Sequence, residues 1–158
     1  MIDKDGNIKL ADFGISKSLK NHELDLDGNL DISRTTTMIG TAQYMPPEVF
    51  NQSRGGYDQS FDIWSLGCVL YEMVVGEPPF GGQQEQMTSM QGILARNELR
   101  MKDYFSNEFK GLLYGILNKD PDRRMKIPEI QKHSFFKKID WNAMEKKIGL
   151  KPPIKPKV

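Results

Sequence analysis

The sequence runs to 158 residues, 38% hydrophobic and 27% charged, a make-up that suits one globular domain with its own core and argues against a disordered or membrane-spanning chain. Twenty-two Lys and Arg against twenty-one Asp and Glu leave a net charge of +1, so the whole-chain charge calls for no polyanionic partner such as nucleic acid. The charge is nevertheless uneven: residues 1–33 carry seven acids against four lysines, and residues 132–158 carry eight lysines against two acids.

In chain order, the turn signal Asp5-Gly6 followed by the alternation Ile8-Lys9-Leu10-Ala11 predicts a residual β-hairpin at the N-terminus. Residues 15–44 are polar, rich in Asp, Asn, Ser and Thr, and read as one long loop. Glu48 to Asn51, after Pro46-Pro47, reads as a short helical turn. From Ile63 to Val75 apolar residues fall on every side of a helix, which must therefore lie inside a domain, and Gly76-Glu77-Pro78-Pro79 ends it. Amphipathic helices are predicted over 84–96 and 107–117, the second with Phe109, Leu112, Leu113, Ile116 and Leu117 on one side. A polar turn surrounds Asp120-Pro121, Pro128 opens a short helix, Phe135-Phe136 should be buried, and Pro152, Pro153 and Pro156 impose an extended tail. The basic tail reads as a solvated segment rather than a docking one.

Cys68 is the only cysteine and lies in the apolar run, so no disulfide framework exists within the chain. No stretch resembles a signal peptide or approaches ~18 uncharged apolar residues. Both points are compatible with a cytoplasmic protein.

Four blocks carry chemistry, and their order matters more than any one of them. Asp12-Phe13-Gly14 follows the predicted strand and opens the long loop. After it come Gly40-Thr41-Ala42-Gln43-Tyr44-Met45-Pro46-Pro47-Glu48, then Asp62-Ile63-Trp64-Ser65-Leu66-Gly67, then Asp120-Pro121-Asp122-Arg123-Arg124. Together they resemble the second half of a eukaryotic-type serine/threonine protein kinase domain. The resemblance implies a mainly α fold: the helical C-terminal lobe, with a residual β-hairpin and no N-terminal lobe. It divides the chain into a partial kinase domain over residues 1–139 and the start of a C-terminal extension over 140–158. His133-Ser134-Phe135-Phe136 through Trp141, followed by the Lys- and Pro-rich tail, resembles the end of a kinase of the AGC group.

The resemblance also assigns roles. Asp12 matches the ligand of the Mg²⁺ that bridges the ATP phosphates, where a hard cation calls for a carboxylate. Phe13 would pack inward and set where Asp12 points, with Gly14 completing the turn. Thr41 matches the threonine of the loop that receives a serine or threonine hydroxyl. Glu48 and Arg123 match a long-range ion pair that ties this loop to the helical body. Asp62 matches an anchor for the catalytic-loop backbone, with helix capping as the plainer alternative. Thr37, four residues before Thr41, matches an activation phosphosite of the group, with Thr35 and Thr36 as alternatives, and Lys17 matches a contact to that phosphate. Glu72 matches an acidic position that holds arginine upstream of the target. The implied partners are protein substrates with basic residues near the target and an upstream activating kinase.

The sequence departs from the family at Pro46, Ala42 and Gln43, and its loop between Gly14 and Thr37 is long. An EF-hand reading of Asp25 to Thr36 fails, since Leu30 and Thr36 stand where Gly and Glu are required. The glycine-rich phosphate loop, the phosphate-binding lysine and the His-Arg-Asp loop, which lie upstream in the family, are not found. The chain alone is therefore expected to be inactive and to expose apolar surface of its central helix. Two rival readings remain: a non-catalytic, pseudokinase-like binding module, and a small calcium-binding protein that suffers from the spacing just given.

Overall fold

The computed structural model of the chain describes residues 1, 6–14, 16, 41–50, 58–80 and 98–146. Two units are distinguished, residues 18–137 and residues 1–17 with 138–158. The described part of the first is helical: α1 over Ser60–Val75, α2 over Asn107–Ile116 and α3 over Ile127–Lys132, with 3₁₀ turns at Ala42–Tyr44, Pro47–Phe50 and Ser134–Phe136.

Helix α1 follows the predicted apolar run. Asp58 accepts the Ser60 backbone N–H at 2.8 Å to begin it, and Asp62 places a negative charge in its first turn, where the helix dipole favours one. It stops at Gly76, whose φ of 88° is left-handed and open to glycine at no steric cost, and whose N–H bonds the Glu72 carbonyl. Helix α2 starts at Ser106, whose hydroxyl accepts the Phe109 N–H at 3.1 Å. Pro128 sits in the first turn of α3, where it has no helical hydrogen bond to break.

The core lies where α1 meets α2. Ile63, Trp64, Cys68 and Tyr71 of α1 pack with Phe109, Leu112, Leu113 and Ile116 of α2, and Leu117, Phe80, Phe105 and Ile130 close the cluster. Burial pushes the Cys68 thiol up to about 12, so it stays protonated. The two helices approach closely at Gly67, where an added Cβ would stand 2.5 Å from Ile116 Cγ2 and 2.7 Å from Leu117 Cδ2. Gly67→Ala is therefore expected to destabilise by about 1–3 kcal/mol, although alanine is the better helix former. A urea midpoint at or above that of the parent chain would contradict this.

The other side of α1 is partly exposed. Leu66, Val69, Val74 and above all Met73, at 72% exposure, face outward, which is the apolar surface expected from the sequence. Phe135 departs from expectation. It is exposed, its ring tilted against Phe109 and edge-on to Phe136, while Phe136 packs on the core.

In the other unit, α4 spans Trp141–Glu145 and is capped by Asp140, which accepts the Ala143 N–H at 3.0 Å. At the N-terminus, the Met1 ammonium donates to the Lys9 carbonyl (2.9 Å) and the Lys9 N–H donates back to Met1 (2.8 Å). Ile8 is an isolated bridge, and there is no strand among the described residues, so the expected hairpin is not supported. A hairpin by itself buries too little apolar surface to hold a ladder. The predicted helix over 84–96, the extended proline tail and most of the loop over 15–44 lie outside the described residues.

Candidate functional site

The segment from Thr41 to Phe50 is held against α1 at several points. Thr41 is exposed; its carbonyl accepts the Tyr44 N–H at 3.0 Å and its side chain makes no capping bond. Tyr44 lies on the helix, its hydroxyl donating to Glu72 Oε2 at 2.6 Å. That hydrogen bond to the Glu72 carboxylate, with burial and the Glu72 charge, raises the phenol above its ordinary range and keeps it a donor. Beyond Tyr44 the chain goes under cover: Met45, Pro46 and Glu48 are buried.

Glu48 ends the segment in a fork. Arg124 Nη1 donates to its Oε1 at 2.7 Å and Nη2 to its Oε2 at 2.9 Å, with both side chains almost wholly enclosed, at 0% and 3% exposure. Arg124 also donates from Nη1 to the Ser60 carbonyl (2.9 Å) and from Nε to the Asn118 carbonyl (3.0 Å). Its guanidinium rests 5.1 Å from the centre of the Trp64 ring. The planar fork thus ties its own turn to Glu48 and Ser60, 76 and 64 positions away in sequence, which a lysine could not do.

This corrects the sequence reading, in which the partner of Glu48 was Arg123. Arg123 is 81% exposed and faces Asp120 at 3.7 Å. The reason is the turn: the N–H groups of Arg123 and Arg124 bond back to Asp120 and Pro121 in succession, which sends the first arginine outward and the second into the core. Asp62, expected to anchor a backbone, is exposed on the first turn of α1.

Asp12, Phe13 and Gly14 belong to the other unit. Asp12 has φ of 65°, a left-handed conformation uncommon outside glycine and tolerated best by Asp and Asn. The Gly14 N–H lies 3.4 Å from Asp12 Oδ1, and Ser16 closes the turn by donating its N–H (3.0 Å) and hydroxyl (2.7 Å) to the Phe13 carbonyl. The Asp12 carboxylate is exposed. Phe13 is 66% exposed rather than packed inward, as a residue in a short local turn closed by its own backbone carbonyl can be. Thr37 and Lys17 lie outside the described residues.

The comparison with known proteins bears on all these segments at once: the protein kinase domain family matches residues 1–136. The chain belongs to the protein kinase family. It is 34% identical to Serine/threonine-protein kinase AtPK2/AtPK19 of Arabidopsis thaliana, over 100% of this chain and 31% of that one. It is 36% identical to human Ribosomal protein S6 kinase alpha-2 (100% and 20%) and 35% identical to Protein kinase C of Drosophila melanogaster (100% and 20%). The AGC-type serine/threonine kinase resemblance of the sequence is shared with these relatives, of whose lengths this kinase-family chain spans a third or less.

A single exposed carboxylate on a strained turn fits the family's metal. Magnesium keeps several waters and takes one or two carboxylates plus substrate phosphates, so it needs no cage of protein ligands. Among the described residues no cluster of three or more His, Cys, Asp or Glu could form such a cage.

Proposed function

We propose that this chain is the C-terminal-lobe portion of an AGC-type serine/threonine kinase whose complete form transfers the γ-phosphoryl group of MgATP to serine or threonine hydroxyls of proteins. The kinase-domain match over residues 1–136 supports it most. In this reading residues 1–139 are the partial kinase domain and 140–158 the start of the extension. Asp12 would hold Mg²⁺, which when bound draws the phosphates together and offsets charge on the transferred group. Its left-handed backbone is the kind of local strain that the rest of a fold maintains at a working position.

Thr41 lies at the exposed lip of the substrate loop, and the Glu48–Arg124 fork fixes the loop's far end. Glu72 gives one carboxylate oxygen to Tyr44, and its Oε1 would receive the guanidinium of an arginine upstream of the target. Thr37 would take the activating phosphate from an upstream kinase, with Lys17 beside it. A cytoplasmic location goes with this reading; no helix among the described residues is long and apolar enough to cross a membrane.

The 158-residue chain alone should turn over no ATP. The positive test transplants residues 1–136 into the Arabidopsis relative in place of its matching segment. That chimera is expected to phosphorylate arginine-bearing serine peptides, and Asp12→Asn to lower its turnover by about 10²-fold or more, as loss of a metal contact worth several kcal/mol requires. A folded but inactive chimera would favour the binding-module reading. Indifference to arginine would remove the role given to Glu72.

A further inference from the structure

Tyr44 is held at both ends by one face of α1. Its hydroxyl goes to Glu72 (2.6 Å), and its backbone carbonyl accepts the hydroxyl of Ser65 at 2.9 Å. Ser65 and Glu72 are seven positions apart, two helical turns or about 10.5 Å of axis, and lie in the same row. Tyr44 is therefore laid lengthwise along α1, carbonyl toward one turn and phenol toward another.

The Ser65 bond is not the default for its donor. A serine inside a helix usually returns its hydroxyl to a carbonyl of its own preceding turn; Ser65 instead reaches across to another segment. The carbonyl it meets belongs to the last residue of the 3₁₀ turn Ala42–Tyr44, where carbonyls run out of local partners. Tyr44 is also the point at which the exposed lip, Thr41 and Ala42, passes into the buried run of Met45, Pro46 and Glu48. A hydrogen bond there sets how the lip leaves the helix.

We infer that Ser65 is a positioning residue for the substrate loop, acting through the Tyr44 carbonyl to fix the path of Thr41 to Gln43. This rests on the proposed function for its purpose, though not for its geometry. The Glu72 bond alone holds only the tip of a side chain that can swing at its own torsions; the Ser65 bond holds the main chain.

The test uses the full 158-residue chain with Ser65→Ala and Ser65→Thr, read by amide hydrogen exchange and by titration with paired serine peptides that carry or lack upstream arginine. Alanine is the better helix former, so Ser65→Ala should leave α1 intact. The Tyr44 and Met45 amides, bonded to Thr41 and Ala42, are expected to exchange roughly 5- to 10-fold faster in Ser65→Ala. Lys110 and Leu117, bonded within α2, should keep parental rates, and Ser65→Thr, which retains a donor, should keep them throughout. Affinity for the arginine peptide should fall in step with loop loosening. Unchanged Tyr44 and Met45 exchange in Ser65→Ala, equal acceleration in α2, or loosening in Ser65→Thr to the level of alanine would each overturn the inference. If the parent chain binds neither peptide while Ser65→Ala loosens the loop alone, the positioning role is upheld and the substrate reading of the loop is what fails.

Discussion

Arg124→Met is expected to destabilise the chain by about 3–5 kcal/mol, whereas Arg123→Met should stay within about 1 kcal/mol of the parent. The two side chains are neighbours with the same charge, and the difference lies wholly in where they sit. Arg124 is enclosed and answers an equally enclosed Glu48 through two short bonds; removing it leaves a carboxylate buried with no counter-charge. Arg123 reaches into solvent and meets Asp120 at 3.7 Å, a geometry in which screening and side-chain entropy leave little net gain. Glu48→Ala should cost about as much as Arg124→Met, because it strands the guanidinium instead. Urea unfolding of the three variants measures this, and equal midpoints for the two arginine variants would contradict it. The double variant Glu48→Leu/Arg124→Met should recover part of the loss, since a buried pair need not exceed an apolar replacement of similar volume.

Trp64→Ala is expected to cost about 3–5 kcal/mol. The indole is fully enclosed, stacked on Phe80 with ring centres 5.3 Å apart, and covered on another side by the Arg124 guanidinium. Deleting it empties a space that α2 cannot collapse into, because Gly67 already brings that helix as near as Ile116 and Leu117 allow. Trp64→Phe should lose much less. It keeps a ring for both neighbours, and among the described residues the indole Nε1 has no hydrogen-bond partner that its removal would orphan. Urea midpoints decide the matter; losses of the same size for alanine and phenylalanine would show that volume is not what the site values. Because Trp64 and Arg124 touch, Trp64→Ala and Arg124→Met should not add.

What could be read in advance followed from periodicity for the helices and from the family resemblance for the site residues. Helix α1 was legible because its apolar run has no polar face, and α2 because Phe109, Leu112, Leu113 and Ile116 recur at helical spacing; their bounds, Ser60–Val75 and Asn107–Ile116, lie close to those expected. The ion pair was legible as a pairing of Glu48 with an arginine after Asp120, and misread by one position. A turn has no period, so nothing in Arg123-Arg124 marks which residue points inward. Phe13 was misplaced for a related reason: an aromatic residue advertises a wish for cover, and the sequence does not say which surface supplies it. Ser65 passed unremarked as part of a family block, because a cross-segment bond from a helical serine leaves no trace in spacing.

The lone thiol gives the core a built-in clock. Cys68 is sealed between α1 and α2 and kept protonated by the same enclosure, so an alkylating reagent meets a thiolate only in molecules that have momentarily parted those helices. Labelling kinetics on the native chain therefore count openings of the α1–α2 seam. A chain with no tag, dye or added cysteine already carries the reporter that would rank every core variant named above.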